Sequence, residues 1–325
     1  MKNNHGHLVI SLDFELLWGV FDVVNYKQKR NYFENTHLVI PKILEEFKSY
    51  EVNATWAVVG MLFNRNWNEW EQNIPERIPG YLKKELSPYK FGEAIKFEGE
   101  ESQCFASELI NWINNTPGQE IGSHTYSHYY CTEKGQTVED FRADLEKAVN
   151  VAKEHNYILE SLVFPRNQIN KAYLQVCSDC GIKTVRSNPD SWYWKNPASE
   201  SLLNKIFRTG DAYNPLAPRK SYSITELQKE PGMPLLQKAS RFLRPVENNS
   251  YLHNLKINRI KAEMSAAAKN KEVYHLWWHP HNFGERPEES MKDLNEILIH
   301  YQKCKQKYDF KSVNMKELDQ IFNSG

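Results

Sequence analysis

The feature that most constrains this chain is an alternation of short apolar segments with longer amphipathic segments. Segments of five to eight residues, rich in apolar and β-branched side chains, are typical of buried strands. These predicted strands are 7–13, 53–60, 119–123, 161–165, 182–187 and 272–279. The predicted helices are 36–50, 137–155, 170–180 and about 288–306. This order of strands and helices predicts the α/β class, with a parallel sheet or barrel covered by helices.

Capping signals help to place three of the predicted helices. Thr36 precedes apolar residues at helical spacing, and Thr137 precedes a first turn with acidic residues, so each is predicted to be an N-cap. Gly181 follows the helix predicted at 170–180, where a glycine commonly ends a helix.

Two long segments interrupt the alternation. Residues 64–104 are rich in Trp, Pro and Glu and are predicted to be an insertion after the second strand. Residues 188–270 contain seven prolines and are predicted to be loops with one helix near 252–269. Long loops on an α/β scaffold commonly build the substrate site. We therefore predict one domain over residues 1–325, with substrate specificity residing in these two insertions.

The composition argues against several classes of protein. The chain has 41 basic and 41 acidic residues, so the basic surface expected of a nucleic-acid-binding protein is missing. Cys177 and Cys180 have the spacing of a CxxC pair but lie in a predicted helix without a second pair, which favours reduced, buried thiols. No signal peptide or membrane-spanning segment is recognisable. We therefore expect a cytoplasmic protein, and a peripheral contact with the inner membrane stays open.

Ionisable side chains follow five of the predicted strands. In a barrel of parallel strands the carboxyl ends of the strands meet on one face, so side chains there are expected to converge. In chain order these side chains are Asp13 and Glu15, then His124 and His128, Arg166, Asp190, and finally His279 and His281.

Two of these pairs favour a metal site. His124 and His128 are four residues apart, so on a helical turn both imidazoles would face one divalent ion, although two surface histidines would give the same spacing. Asp13 and Glu15 share one face of a strand, which is costly in a core unless a cation offsets them. One carboxylate and two imidazoles would leave metal positions open for water and substrate.

Taken together, these motifs resemble those of the polysaccharide deacetylase family, the NodB-like carbohydrate esterases. The likeness is carried by SHTYSH at 123–128, NATWAVVG at 53–60 and LWWH at 276–279. Two motifs depart from the family pattern, because Phe14 separates Asp13 from Glu15 and FPRNQ stands where the family has an Arg-Pro motif. FPRNQ and HPHNFG resemble a branch found with O-antigen or capsule assembly. The resemblance implies a deformed (β/α) barrel, TIM-like, with long loop insertions.

The resemblance also implies a role for each candidate residue. Glu15, His124 and His128 would hold a divalent metal, with Zn²⁺ as the expected ion. Asp13 would be the general base, kept ionised by Arg166. His279 would be the general acid, tuned by Asp190, and His281 competes for that role. Arg166 as the partner of a structural acid, and Asp190 as a turn residue, remain open alternatives.

The expected reaction is the removal of an N-acetyl group from a sugar, with a nucleotide- or lipid-linked precursor as the substrate. Deformylation of a lipid-linked amino sugar, hydrolysis of a small amide, and carbohydrate binding without catalysis remain alternatives. A zincin protease is disfavoured because Thr125 occupies the position of the glutamate in HExxH, and the HxD pair of non-haem iron oxygenases is missing. Trp192, Trp194, Trp277 and Trp278 are candidates either to stack on sugar rings or to fill the core.

Overall fold

The strands of the molecule form one parallel sheet. The computed structural model describes residues 5–97, 101–190, 210–211, 213 and 219–324. Its strands pair in the order β6-β5-β4-β3-β2-β1-β8-β7, and β9 pairs with β1. Every pairing among them is parallel. The strands are β1 (His7–Phe14), β2 (Ala54–Val58), β3 (Gln119–Ser123), β4 (Ser161–Val163), β5 (Thr184–Ser187), β6 (Leu235–Lys238), β7 (Arg241–Phe242), β8 (Val273–Trp278) and β9 (Lys311–Val313).

A single chain segment closes this sheet into a barrel. Strands β6 and β7 are separated only by Ala239 and Ser240, and they pair with opposite edges of the sheet, β5 and β8. The amide of Ala239 donates to Ser187 O, and the amide of Ser240 donates to His275 O, each at 2.8 Å. The predicted deformed (β/α) barrel of the α/β class is thereby confirmed, but its closing segment lies within residues predicted to be loops and a helix.

Helices cover the barrel, and all five predicted helices are present. They are α1 (Arg30–Ser49), α2 (Trp67–Gln72), α3 (Pro88–Ile95), α4 (Glu101–Cys104), α5 (Ser107–Asn115), α6 (Val138–Glu154), α7 (Lys171–Asp179), α8 (Ser250–Asn270), α9 (Pro287–Tyr308) and α10 (Met315–Ser324). Among the helices of the described residues, none combines the length and apolar character that crossing a bilayer requires. The five cysteines are free; Cys177 is buried and Cys180 is half-buried.

The two predicted threonine caps had different outcomes. Thr137 caps α6 in a reciprocal capping box with Asp140, as predicted. Thr36 is not a cap, because α1 begins at Arg30 and the Thr36 hydroxyl donates to Tyr32 O at 2.8 Å within the helix. The buried Phe33 extends the apolar face of α1 one turn earlier than the periodicity around Thr36 indicates.

The insertion at 64–104 contains helices and packs as core. Trp70 is fully buried and stacks on Trp18, with ring centroids 6.1 Å apart, and Trp67 meets the same ring edge-on at 6.1 Å. Trp18 belongs to the 3-10 turn Leu16–Gly19, which directly follows Glu15. The insertion therefore supports the turn at the end of β1. In the second insertion, the predicted helix is present as α8, whereas Trp192 and Trp194 lie outside the described residues.

Helix α10 packs at the amino end of the barrel. Its Met315 and Leu318 join a cluster of buried apolar side chains with Val9, Ala57 and Val163 of the strands. The amide of Met315 donates a hydrogen bond to Thr55 Oγ1 at 2.8 Å. Apolar side chains of α10 therefore close the amino end of the barrel. The polar groups converge at the opposite end, where the strands have their carboxyl ends.

Candidate active site

Glu15 lies at the centre of the polar groups at the carboxyl end of the barrel. Strand β1 ends at Phe14, and the chain then turns sharply through Leu16, whose φ is 44°. A Cβ atom at Gly19 would lie 2.0 Å from Cδ of Glu15, so the Glu15 side chain has its place only because residue 19 is glycine. Glu15 Oε2 is 3.2 Å from His124 Nε2 and 3.1 Å from His128 Nε2.

The two histidines are presented by an irregular loop after β3. The predicted helical turn is wrong, because Thr125 and His128 have φ values of 63° and 56°. The loop is held by Asp144 of α6, which accepts from the amide of Tyr126 at 2.7 Å and from the amide and hydroxyl of Ser127. Burial raises the pKa of Asp144 to about 6, although these hydrogen bonds oppose the shift. The two imidazoles nevertheless converge, with ring centroids 5.0 Å apart.

A backbone hydrogen bond orients the His124 ring so that its Nε2 faces Glu15. Its Nδ1 lies 2.8 Å from the carbonyl oxygen of Val163 and must donate to it, so Nε2 of the neutral ring is an acceptor. Burial lowers the pKa of His128, which favours its neutral form as well. Both Nε2 atoms are buried and have no hydrogen-bond partner among the described residues. A buried carboxylate beside two buried imidazole nitrogens that lack hydrogen-bond partners is a donor set that fits a divalent metal.

Arg186, rather than Arg166, holds Asp13. Its Nη1 and Nη2 donate to Oδ1 and Oδ2 of Asp13, each at 2.7 Å, and both side chains are buried. Burial by itself would raise the pKa of Asp13, but the charge of Arg186 and its hydrogen bonds lower that pKa below its usual value. Trp277 lies beneath the guanidinium, whose carbon is 4.2 Å from the ring centroid. The predicted pairing of Arg166 with Asp13 is therefore wrong.

Arg166 turns away from Asp13 because of the backbone that follows β4. Arg166 and Asn167 have φ values of 53° and 52°, and Arg166 Nη2 donates to Asp22 Oδ2 at 2.5 Å. Asp190 is also placed differently from its prediction. It is 76% exposed and pairs with Lys238 Nζ at 2.5 Å, so it does not serve as the partner of His279.

His279 and His281 differ in their access to solvent. His279 Nε2 is 3.7 Å from a carboxylate oxygen of Asp13 and of Glu15, and its side chain is 24% exposed. His281 is 4% exposed, and its Nε2 is 3.8 Å from Glu15 Oε1. The rings stack with centroids 5.1 Å apart, and burial lowers the pKa of His281 to about 3. The two groups that sequence reasoning left equivalent are thus an accessible ring and a buried ring behind it.

Sequence reasoning missed a polar layer beneath Asp13. Ser11 Oγ accepts from Arg186 Nη1 at 3.0 Å and lies 2.8 Å from His275 Nε2, and both Ser11 and His275 are fully buried. A signal for Arg186 was available, because alternation along the strand predicted at 182–187 places Thr184 and Arg186 on the same face. A buried arginine requires an internal carboxylate, and Asp13 was the available one. The candidate tryptophans Trp277 and Trp278 are both buried.

The comparisons with known proteins give a family match over part of the chain and a similarity in fold over the whole of it. Residues 32–185 match the family model described as polysaccharide deacetylase. A search of curated proteins gave no match. The family model therefore supports the polysaccharide deacetylase family over somewhat less than half of the chain, whereas the predicted O-antigen or capsule branch has no such support.

Three solved structures illustrate the similarity in fold. A Mycobacterium smegmatis protein named as a polysaccharide deacetylase is 15% identical, with a TM-score of 0.62 over 100% of this chain and 92% of its own. A Pseudomonas aeruginosa PAO1 protein named in the same way is 11% identical, with a TM-score of 0.56 over 98% of this chain and 90% of its own. The PuuE allantoinase is 9% identical, with a TM-score of 0.56 over 99% and 92%. At these identities the similarity concerns the fold.

Proposed function

We propose that this chain is a metal-dependent hydrolase that removes an N-acetyl group from an amino sugar. The observation that carries the proposal is the Glu15 carboxylate facing two buried imidazole nitrogens that lack hydrogen-bond partners. His279 Nε2 lies 3.7 Å from a carboxylate oxygen of Glu15 and equally far from one of a second carboxylate, that of Asp13. A site that combines a metal-binding set with a separate carboxylate and an accessible imidazole has the groups required for amide hydrolysis.

The ion would be held by Glu15 Oε2, His124 Nε2 and His128 Nε2. When bound, a divalent cation, with Zn²⁺ as the expected ion, polarises the amide carbonyl and lowers the pKa of a water molecule. The hydrogen bond from His124 Nδ1 to Val163 O fixes the orientation of that ligand. Gly19 leaves the space in which the Glu15 carboxylate folds back towards the two imidazoles.

Asp13 and His279 would move the protons. Asp13 is kept ionised and oriented by the two hydrogen bonds from Arg186, so it can take a proton from the attacking water. His279 is the accessible imidazole of the stacked pair, so it can give a proton to the departing amine. His281 is buried behind it and would hold the ring of His279 in place.

The identity of the substrate is part of the same proposal. The amino sugar is supported by the family model and by the names of two proteins with a similar fold. O-antigen or capsule assembly is supported by FPRNQ and HPHNFG, and a nucleotide- or lipid-linked precursor follows from the expected cytoplasmic location. Hydrolysis of a small amide is the second candidate, supported by the similarity in fold to an allantoinase.

The test compares the metal content and the turnover of the wild type with those of His128→Ala. For the wild type we expect about one divalent ion per chain by elemental analysis and acetate release from N-acetylated amino sugars. We expect His128→Ala to lose both the ion and the acetate release. His155→Ala is the matched control, because His155 is an exposed histidine at the end of α6 and should keep both. A wild type that stays metal-free after incubation with zinc would contradict the proposal. Activity on allantoin but on no amino sugar would favour the second candidate.

A further inference from the structure

Arg166 lies next to the predicted metal ligands although it does not contact Asp13. Its guanidinium carbon is 4.2 Å from the centroid of the Tyr130 ring. The Tyr130 hydroxyl is 3.3 Å from His128 Nδ1, so a single side chain separates Arg166 from a predicted ligand. Tyr130 is fully buried and its amide donates to Tyr81 Oη at 2.8 Å, which fixes the ring that supports the guanidinium.

The turn that presents Arg166 also fixes the catalytic carboxylate. Arg166 and Asn167 are consecutive non-glycine residues with positive φ, a conformation that persists only when its surroundings hold it. Asn167 Oδ1 accepts from Arg186 Nη2 at 3.0 Å, and Asn167 O accepts from Asn188 at 3.1 Å. One strained turn therefore locks Arg186 on Asp13 and directs Arg166 away from it. Strain of this kind is concentrated at functional sites.

The Arg166 side chain retains hydrogen-bonding capacity. It is 33% exposed, and Asp22 is its only hydrogen-bond acceptor within the described part of the chain, so most of its N–H donors remain available. The side chain of Asp22 is 8% exposed, and its Oδ1 is buried without a partner among the described residues. Donors and an unsatisfied acceptor side by side match hydroxyl groups, because each hydroxyl both donates and accepts.

The surrounding charges disfavour an anionic group at this position. Asp22 offsets the charge of Arg166 at 2.5 Å, and the charges of Asp22 and Glu133 also act on Arg166. At Arg166 itself, a phosphate or carboxylate would therefore meet one guanidinium and two carboxylates.

We propose that Arg166, held by Asp22 and stacked on the buried ring of Tyr130, forms a subsite that binds the hydroxyl groups of a neutral sugar ring beside the hydrolysed amide. This inference rests on the proposed deacetylase function. Arg166 is then a specificity-determining residue that contacts substrate, and Asp22 is a positioning residue that holds it. The subsite would select a sugar over an amide or ester that lacks hydroxyl groups.

The test compares two substrates in Arg166→Gln and Asp22→Asn. One is the best substrate among N-acetylglucosamine, UDP-N-acetylglucosamine and N-acetylated chitotriose, and the other is 4-nitrophenyl acetate, which lacks hydroxyl groups. We expect each variant to lower the ratio of sugar kcat/KM to ester kcat/KM by about tenfold or more, mainly through KM. Arg142→Gln is the matched control, because Arg142 is 40% exposed and pairs with Asp179 at 2.6 Å. Its ratio should stay within about twofold of the wild type.

The outcomes separate this inference from the proposed function. An equal fall for both substrates would overturn it, because Arg166 would then serve catalysis or structure generally. A wild type that prefers the acidic N-acetylmuramic acid about tenfold over the neutral sugars would also overturn it. A wild type with bound metal that hydrolyses none of the sugars, whether or not it hydrolyses the ester, would instead contradict the proposed function, and the subsite proposal would be rejected with it.

Discussion

The two ends of the barrel each bury a glutamate, but they surround it with opposite kinds of groups. At the amino end, Glu120 of β3 accepts from the hydroxyls of Thr55 and Ser161 at 2.6 and 2.5 Å and from the amide of Lys316 at 3.2 Å. At the carboxyl end, Glu15 faces two imidazole nitrogens without hydrogen-bond partners among the described residues. The first carboxylate is satisfied by the protein itself, whereas the second needs a cation.

The pKa values of these two glutamates are shifted in opposite directions. Burial raises the pKa of Glu120, and its neutral donors only partly oppose that shift. Burial also acts to raise the pKa of Glu15, but the imidazoles of His279 and His128 lower it well below its usual range. Burial alone therefore does not distinguish a structural carboxylate from a functional one. The distinction lies in whether the neighbouring groups are satisfied without a ligand.

The largest effect is expected from Asp13→Asn at the carboxyl end. The amide would lose the ability to take a proton, so kcat should fall by about 10²- to 10⁴-fold while the metal content stays at the wild-type level. Steady-state kinetics and elemental analysis on the same sample measure both quantities. Asp190→Asn is the control, since this exposed carboxylate pairs with Lys238 and should have little effect. Loss of the metal together with the rate would reverse the roles of Asp13 and Glu15.

The second largest effect is expected from His279→Ala, and it should differ from that of His281→Ala. His279→Ala should lower kcat by about 10²-fold or more and remove the basic limb of the pH–rate profile, because the accessible ring donates the proton. His281→Ala should retain that limb, because His281 is buried behind His279. The full pH–rate profiles of both variants make the comparison, and disappearance of the basic limb only in His281→Ala would exchange their roles.

A smaller effect is expected from Asp144→Asn, which alters the support of the histidine loop. The amide cannot accept all the hydrogen bonds from Tyr126 and Ser127, so the free energy of unfolding should fall by about 1–3 kcal/mol. The folded pKa of Asp144, about 6, exceeds the ordinary value of 3.8. Its contribution to stability is therefore fully present below pH 3.8 and is lost as the pH rises through about 6.

Urea unfolding of the metal-free proteins at several pH values measures this dependence. The stability advantage of the wild type over Asp144→Asn should narrow as the pH rises from about 4 to about 7. A difference that widens over the same range would show that the pKa of Asp144 is lowered in the folded protein.

The smallest effect is expected from Glu120→Gln at the amino end. Glutamine keeps the size of the side chain, and its amide can still pair with the hydroxyls of Thr55 and Ser161. Because the pKa of Glu120 is raised, its contribution to stability declines as the pH rises through that pKa, so the variant should gain relative to the wild type towards neutral pH. Thermal unfolding between pH 4 and 7, together with kcat, tests this. A loss of activity or metal would show that the two ends of the barrel are coupled.

The fold and the inventory of the site were largely predictable from local sequence. Six strands, the cap at Thr137 and α8 follow from periodicity and capping chemistry, which depend on neighbouring residues. The closing segment β6–β7 was missed because nearby prolines indicate loops. Its pairing with β5 and β8 joins residues distant in the chain, and no local pattern encodes such a pairing.

The sequence by itself determined which ionisable groups stand at the carboxyl ends of the strands, because parallel strands place their ends on one face. Only the tertiary structure decided which groups meet. Arg186 reaches Asp13 from within the barrel, whereas Arg166 is turned towards Asp22 by two residues with positive φ. It also decided that His279 is accessible and His281 is buried. The physical reason is that strand register and side-chain direction fix contacts between long side chains, and both depend on packing across the whole barrel.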